Sequence, residues 1–379
     1  MNIFIISKNL FVKILIMKKC IYIITLLFSI ILSLIPFSLY SQWGIAYNEG
    51  WGNRDLKSYP NFFSSIDYVG DGINGHRLDI YFPTSMKVNL NNLSVLALNK
   101  KYDEINKVSS LIKNENKKYP CMIVIYGSAW RGNSGKDGSL NHIKNAVKKL
   151  LKNDFIIVTL NHRSSISHPF PAQIHDVKAA IRFLKGNAKA LSIDPNFIAI
   201  QGYSSGGHLA AFMGASSGKS EFSLEGKKID LNGSLGNHLD QNSDVHAVVD
   251  WYGPTDLSLM NDCSKIVRQT PNRGDARNLF IGGPVDENKA LTQLANPITY
   301  LDSKTPPFLI FHGAKDTSVP VCQSEILHEA LIIKGLNSRL IIEDEGVHSG
   351  TNGKMFAQKN LDIMTDFIMN EYQKSKALR

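Results

Sequence analysis

From Pro120 onward the chain alternates short apolar runs with helix-like stretches, and that alternation limits the folds open to it. The runs "CMIVIY", "FIIVTL", "FIAIQ", "HAVVDWYG", "PFLIFHG" and "SRLIIED" are close to continuous in apolar residues. Between them lie "NHIKNAVKKLLK", amphipathic at helical spacing, and "PAQIHDVKAAIRFLKGNA", with Pro171 at its start. The small-residue segment "SSGGHLAAFMGASS" and stretches near 324–333 and 356–372 also read as helices. A strand apolar on both faces must be covered on both, so the pattern predicts an α/β fold with a mostly parallel central sheet and helices on either side. With 379 residues, 43% of them hydrophobic, there is material for a sizeable core.

Upstream of this region, "RLDIYFP" alternates as a strand and stops at a proline, after an aromatic, glycine-containing lead-in. Residues 84–119 are polar and rich in Asn and Lys, and read as an insertion on the outside of the domain with one short helix near 95–108. Residues 217–243 read as a loop or small excursion between a helix and a strand.

The N-terminus has the layout of a signal peptide over 1–41: Lys18 and Lys19 precede an apolar stretch from Ile21 to about Leu39, and Ser41 is a small residue suited to cleavage. Met17 is a credible start, which would make 1–16 an extension. The rival reading is an uncleaved anchor, since the run approaches the roughly 20 residues that span a bilayer. Either way the remainder, 42–379, is expected to be exported to the periplasm or beyond as one domain, with no membrane span once the leader is removed. The formal charge of +9 includes four lysines in those first 41 residues and no acid there, which leaves +5 on the rest. The remaining basic residues are scattered and not interleaved with aromatics, which argues against nucleic-acid binding. Beyond the leader only Cys121, Cys263 and Cys322 remain, enough for one intrachain disulfide whose pairing the sequence leaves open, and none has zinc-ligand spacing.

In a parallel sheet the loops at the carboxyl ends of strands carry the site. After "FIAI" comes "QGYSSGG", which satisfies G-x-S-x-G with Gly202, Ser204 and Gly206. The glycines are needed because a tight strand-to-helix turn brings its flanks together and holds the nucleophile at strained angles. Asp316 follows "FLIFHG", and His348 lies just past "RLIIED". The order Ser, Asp, His, each on its own loop after a strand, supplies a hydroxyl, a base to deprotonate it and a carboxylate to orient the base. Of the other histidines only His328 also follows Asp316, and it falls in a helix; His312 ends a strand and is placed to pack under the site. Asp344 and Glu345 share a short loop with His348 and read as surface acids. For the oxyanion, the backbone N–H of Ser205 is one donor, and the loop in "IVIYGSAWRG" offers those of Ser128 and Ala129. On this reading Ser205 contributes its N–H and not its hydroxyl. Trp130, Trp251 and Tyr252, beside strand ends, are candidates for an aromatic wall against the substrate, with burial in the core as the competing role.

From about Asp67 to its end the chain resembles α/β-hydrolase esterases of the bacterial feruloyl and acetyl-xylan esterase type, within the hormone-sensitive-lipase-like set. The resemblance rests on "HRLDIYFP", "IVIYGSAWRG", "NHRSSISHPFPAQIHDVKAAIRFLKGNA", "IDPNFIAIQGYSSGGHLA", "VVDWYGPTDL", "PPFLIFHGAKDTSVP" and "EGVHSG" in that order. It implies Ser204 as nucleophile, Asp316 as acid, His348 as base, oxyanion donors near Ser128, Ala129 and Ser205, and neither metal nor cofactor. Its partner would be a small ester or an esterified carbohydrate. Tyr126 and Ser128 replace the family's usual His and second Gly, which restricts the oxyanion loop. Two other functions stay open at this point: a serine peptidase of the prolyl-oligopeptidase kind, although the chain has no room for that group's propeller, and a non-catalytic binding protein on a hydrolase fold. The oligomeric state is not legible.

Overall fold

The computed structural model describes residues 62–86, 117–260, 275–348 and 352–379. Eight strands form the main sheet: β1 (Phe62–Asp67), β2 (Arg77–Tyr81), β3 (Tyr119–Ile125), β4 (Ile156–Leu160), β5 (Ile193–Tyr203), β8 (Ala247–Trp251), β9 (Phe308–Gly313) and β10 (Ser338–Glu343). Their spatial order is β1-β2-β4-β3-β5-β8-β9-β10. β2 runs antiparallel to both β1 and β4, and every pairing from β4 to β10 is parallel. The fold is an α/β-hydrolase fold, with the mostly parallel sheet expected from the apolar runs.

Side chains of successive strand residues enter opposite faces. Cys121, Ile123 and Ile125 of β3 pack in one cluster with Ile198 and Ile200 of β5, while Met122 and Val124 join Ala199 in the other. The first face is covered by α2 (Ala172–Gly186), α4 (Ser205–Ala215) and α7 (Cys322–Ile333), through residues such as Val177, Leu209 and Leu327. The second is covered by α1 (Lys144–Lys152) and α8 (Gln358–Ala377), through Leu150 and Met364. The remaining helices, α3 (Ala188–Leu191), α5 (Ala276–Ile281) and α6 (Lys289–Leu294), are short. The edge strand β10 has no fully buried position and mixes half-buried with exposed residues, unlike the fully buried β3, β4, β8 and β9.

Three elements differ from the sequence reading. β1 falls between the aromatic lead-in and "RLDIYFP", where "FFSSID" lacks an apolar run and breaks register between Phe63 and Ile66. The 217–243 excursion contains a hairpin of β6 (Glu221–Leu224) and β7 (Lys227–Asp230), whose strands are only four residues long and at least half polar, with Phe222, Leu224 and Ile229 turned to the core. Tyr119 belongs to β3 and not to the preceding insertion. The helix expected near 95–108 and the leader at 1–41 lie outside the described residues, as does Cys263. Cys121 is a buried free thiol and Cys322 is disulfide-bonded. The described residues belong to a compact unit spanning Asn53–Arg379, and among them no helix is long and apolar enough to cross a membrane.

Candidate active site

Ser204 sits between β5 and α4 with φ +52° and ψ −123°, backbone angles that a residue with a Cβ adopts only under strain. The glycines around it are fixed by close approach. A Cβ on Gly202 would lie 2.0 Å from the Gly206 carbonyl oxygen, and one on Gly206 would lie 2.4 Å from the Tyr126 carbonyl oxygen. Gly127 is equally confined, since its Cβ would come within 2.7 Å of the Tyr203 carbonyl oxygen. The turn is therefore wedged against the end of β3.

His348 joins the two other residues of the expected trio. Its Nδ1 is 2.6 Å from Asp316 Oδ2, and its Nε2 is 3.0 Å from Ser204 Oγ. An ionised carboxylate only accepts, so Nδ1 carries the proton and Nε2 is left to accept from the serine hydroxyl. Asp316 Oδ1 is held by the N–H groups of Ser318 at 2.7 Å and Val319 at 2.9 Å. Burial pushes the Asp316 carboxyl up, but hydrogen bonds to His312 and His348 outweigh it and hold the group well below the usual carboxylate range. His312 is fully buried at the end of β9, bonded to Ser324 Oγ and the Val319 carbonyl, with Nε2 3.5 Å from Asp316 Oδ2. It thus lies beneath the Asp316 carboxylate. Asp344 and Glu345 are exposed, and Glu345 pairs with Lys315.

On the opposite side, Ser128 to Arg131 form a tight turn closed by the Arg131 N–H donating to the Ser128 carbonyl at 3.0 Å. Its central residues, Ala129 and Trp130, have φ of +52° and +58°, the sign pattern of a type I′ turn, here built without glycine. Ser128 Oγ accepts from the Gly132 N–H at 3.1 Å, and the Tyr126 hydroxyl donates to the Gly132 carbonyl while its ring stacks on His162. Tyr126 and Ser128, the two departures from the family pattern, thus both brace the turn through Gly132.

The three expected oxyanion donors do not stand alike. The Ala129 N–H has no hydrogen-bond partner among the described residues, and the Ser205 N–H, as the first of a helix, has none within it. The Ser128 N–H is engaged: it donates to Ser205 Oγ at 2.9 Å. That contact also corrects the view of Ser205 as a backbone donor alone. It links residues 77 positions apart and leaves no local signal in the sequence.

The aromatic wall is a second correction. Trp130, Trp251 and Tyr252 are 2%, 0% and 2% exposed. Trp130 stacks on Phe280 and donates its indole N–H to His208 Nδ1 at 3.2 Å. Trp251 stacks on Phe311 with ring centres 4.0 Å apart and donates to Gln201. Tyr252, at φ +46°, meets the His348 ring edge-on at 4.7 Å. A strand end places an aromatic beside the site or beneath it, and these three lie beneath.

His208, one turn into α4, donates from Nε2 to the Ala295 carbonyl at 2.8 Å and accepts from Trp130 at Nδ1. Burial pushes its imidazole down to about 4, against the hydrogen bond to Ala295. It is a neutral link between the helix and the oxyanion loop.

Comparison with known proteins gives the same architecture. The family model described as BD-FAE matches residues 110–331. A truncated carbohydrate esterase from gut microbiota is 35% identical, with a TM-score of 0.68 over 83% of this chain and 97% of that one. A bifunctional GH43-CE protein of Bacteroides eggerthii is 36% identical, with the same TM-score, over 82% of this chain and 38% of its own. Esterase LipQ of Mycobacterium tuberculosis is 29% identical over 212 residues, 56% of this chain and 45% of LipQ. The chain spans about half the length of the curated relatives it matches.

Proposed function

The chain belongs to the BD-FAE family, and from that premise we propose that it is a secreted serine carboxylesterase that removes short acyl or aromatic acyl groups from a carbohydrate. The observation that carries this reading is the continuous hydrogen-bonded line from Ser204 Oγ through His348 to Asp316. Likeness to carbohydrate esterases supports the carbohydrate side of the substrate. The apolar stretch behind Lys18 and Lys19 supports export, and 42–379 is read as one hydrolase domain with an insertion at about 84–119.

The chemistry follows from the geometry. His348 Nε2 takes the hydroxyl proton as Ser204 Oγ attacks the acyl carbonyl, and Asp316 stabilises the imidazolium that forms. Negative charge gathers on the former carbonyl oxygen, where the N–H groups of Ala129 and Ser205 receive it. Collapse breaks the bond to the alcohol, which leaves with the proton from His348, and the acyl group stays on Ser204. Water then attacks, giving its proton to His348, and a second collapse frees the carboxylic acid and returns the proton to Ser204.

Purified protein and Ser204→Ala, assayed on p-nitrophenyl acetate and acetylated xylan, test this reading. The wild type is expected to release acetate from both and the variant to lose nearly all activity. Equal rates for the two proteins would exclude it, and cleavage of peptides without esters would favour a peptidase.

A further inference from the structure

We propose that the Ser205 hydroxyl is a positioning group for the oxyanion hole: by accepting the Ser128 N–H it fixes the oxyanion loop on helix α4 and leaves the Ala129 and Ser205 N–H groups as the two donors. This inference rests on the esterase reading of the site and assigns a role to a side chain beside the nucleophile.

Ser205 is 1% exposed, and its Oγ meets the Ser128 N–H at 2.9 Å. The bond is part-buried and its acceptor is held on a helix, so it ties the loop to α4 and matters to where the loop sits. The turn it anchors holds two residues with side chains, Ala129 and Trp130, at positive φ. Such angles persist only when the surroundings over-determine them. Here the surroundings are the Ser128 Oγ bond to Gly132, the Trp130 carbonyl accepting from the Ser165 N–H, and two contacts from α4 itself. Those two contacts come from Ser205 and His208, three residues apart and so on one face of the helix. The helix that begins at the nucleophile thus grips the loop at both ends of the Ser128–Trp130 segment. The distance between the two sets of oxyanion donors is set by side chains as well as by the sheet.

The consequence for catalysis is specific. Ser128, the position where the family carries glycine, does not need to present its N–H to the substrate, because that group serves the loop. A side chain is tolerated there because its hydroxyl and its N–H both have partners within the loop and helix. Loss of the Ser205 hydroxyl frees the Ser128 N–H and lets the turn move relative to Ser204. A displacement of about 1 Å at such a site is enough to cost on the order of 100-fold in rate.

The test compares wild type with Ser205→Ala, Ser205→Cys and Ser205→Thr. Cysteine keeps the volume but is a weak acceptor, whereas threonine keeps the hydroxyl. On p-nitrophenyl acetate we expect Ala and Cys to lower kcat by about 10- to 100-fold with KM within about threefold, and Thr to recover most of the loss. Independently of activity, amide hydrogen exchange in the 127–132 segment should quicken in Ala and Cys and stay near wild type in Thr. Wild-type kcat and exchange in Ser205→Ala would overturn the proposal, as would equal losses in Cys and Thr. Failure of the esterase reading would look different: wild type and Ser204→Ala would be equally inactive, and the exchange measurement would still report whether the hydroxyl holds the loop.

Discussion

His348 Nε2 stands 3.0 Å from Ser204 Oγ although 144 residues separate the two along the chain. The sheet makes that contact possible, because β5, β8, β9 and β10 are neighbours in parallel register and deliver their following loops to one edge. The His348 ring is held from behind by Asp316 and from the side by the Tyr252 ring.

Asp316→Asn should keep the fold and lose the chemistry. The amide oxygen can still accept from the Ser318 and Val319 N–H groups, but an amide nitrogen facing Nδ1 favours the wrong imidazole tautomer. On the esterase reading kcat falls by about 10³- to 10⁴-fold, with an unchanged circular dichroism spectrum. In the wild type the carboxyl is held well below its ordinary range. Its stabilising contribution is therefore present above the unfolded-state value and is lost only as the pH falls below that value toward the folded one.

Trp251→Phe should change stability and leave substrate affinity alone. The ring is fully buried against Phe311, so the variant leaves a cavity and strands Gln201 Oε1, at a cost of about 1–3 kcal/mol by urea unfolding. KM for acetyl and feruloyl esters should stay within about twofold. A large rise in KM would restore the aromatic wall that burial argues against.

The pH dependence of stability should carry the mark of His208. Its imidazole lies near 4 in the folded protein against an ordinary value near 6.5, so between those limits the unfolded chain binds a proton that the folded chain refuses. Its contribution is complete above about 6.5 and declines as the pH falls toward 4. Urea unfolding at pH 7 and pH 4.5 should show wild type losing about 2–3 kcal/mol more than His208→Asn. Because His246 is also pushed down to about 4, the difference between the two proteins, and not the wild-type slope, is the informative quantity.

Gly206→Ala and Gly226→Ala separate close approach from backbone conformation. At 206 a Cβ would press on the Tyr126 and Ile125 carbonyl oxygens at 2.4 and 2.5 Å, backbone atoms that cannot swing aside. The expected cost is about 1–3 kcal/mol or more, together with loss of activity as the oxyanion loop is displaced. At 226 a Cβ meets open space but φ is +76°, so the cost should be about 1 kcal/mol with activity intact. Thermal unfolding and esterase rates on the two variants check both.

What the sequence discloses and what it hides follow from range. Apolar runs such as "CMIVIY" report burial on both faces directly, and Ser204, Asp316 and His348, each on a loop after its own strand, can be read in order because topology maps order onto position. β1 and the β6-β7 hairpin escape because "FFSSID" is broken by two exposed serines and "EFSL" alternates over only four residues, too short a run to stand out. The Ser128–Ser205 bond escapes for a different reason: each residue is explained locally, as a small turn residue and a helix start, and only the fold brings them together. Trp130, Trp251 and Tyr252 show the limit of reading strand ends, since being near the site does not fix which side of the sheet edge a ring occupies.

Fluorophosphonate labelling of the folded protein, followed by peptide mass mapping, asks whether Ser204 carries the acyl group. The label should be stoichiometric on the peptide containing Ser204, with fragmentation that places it on Ser204 and not Ser205, and absent from Ser204→Ala and His348→Ala. A folded wild type that takes up no label, or takes it up equally without Ser204, would contradict Ser204 as the carrier.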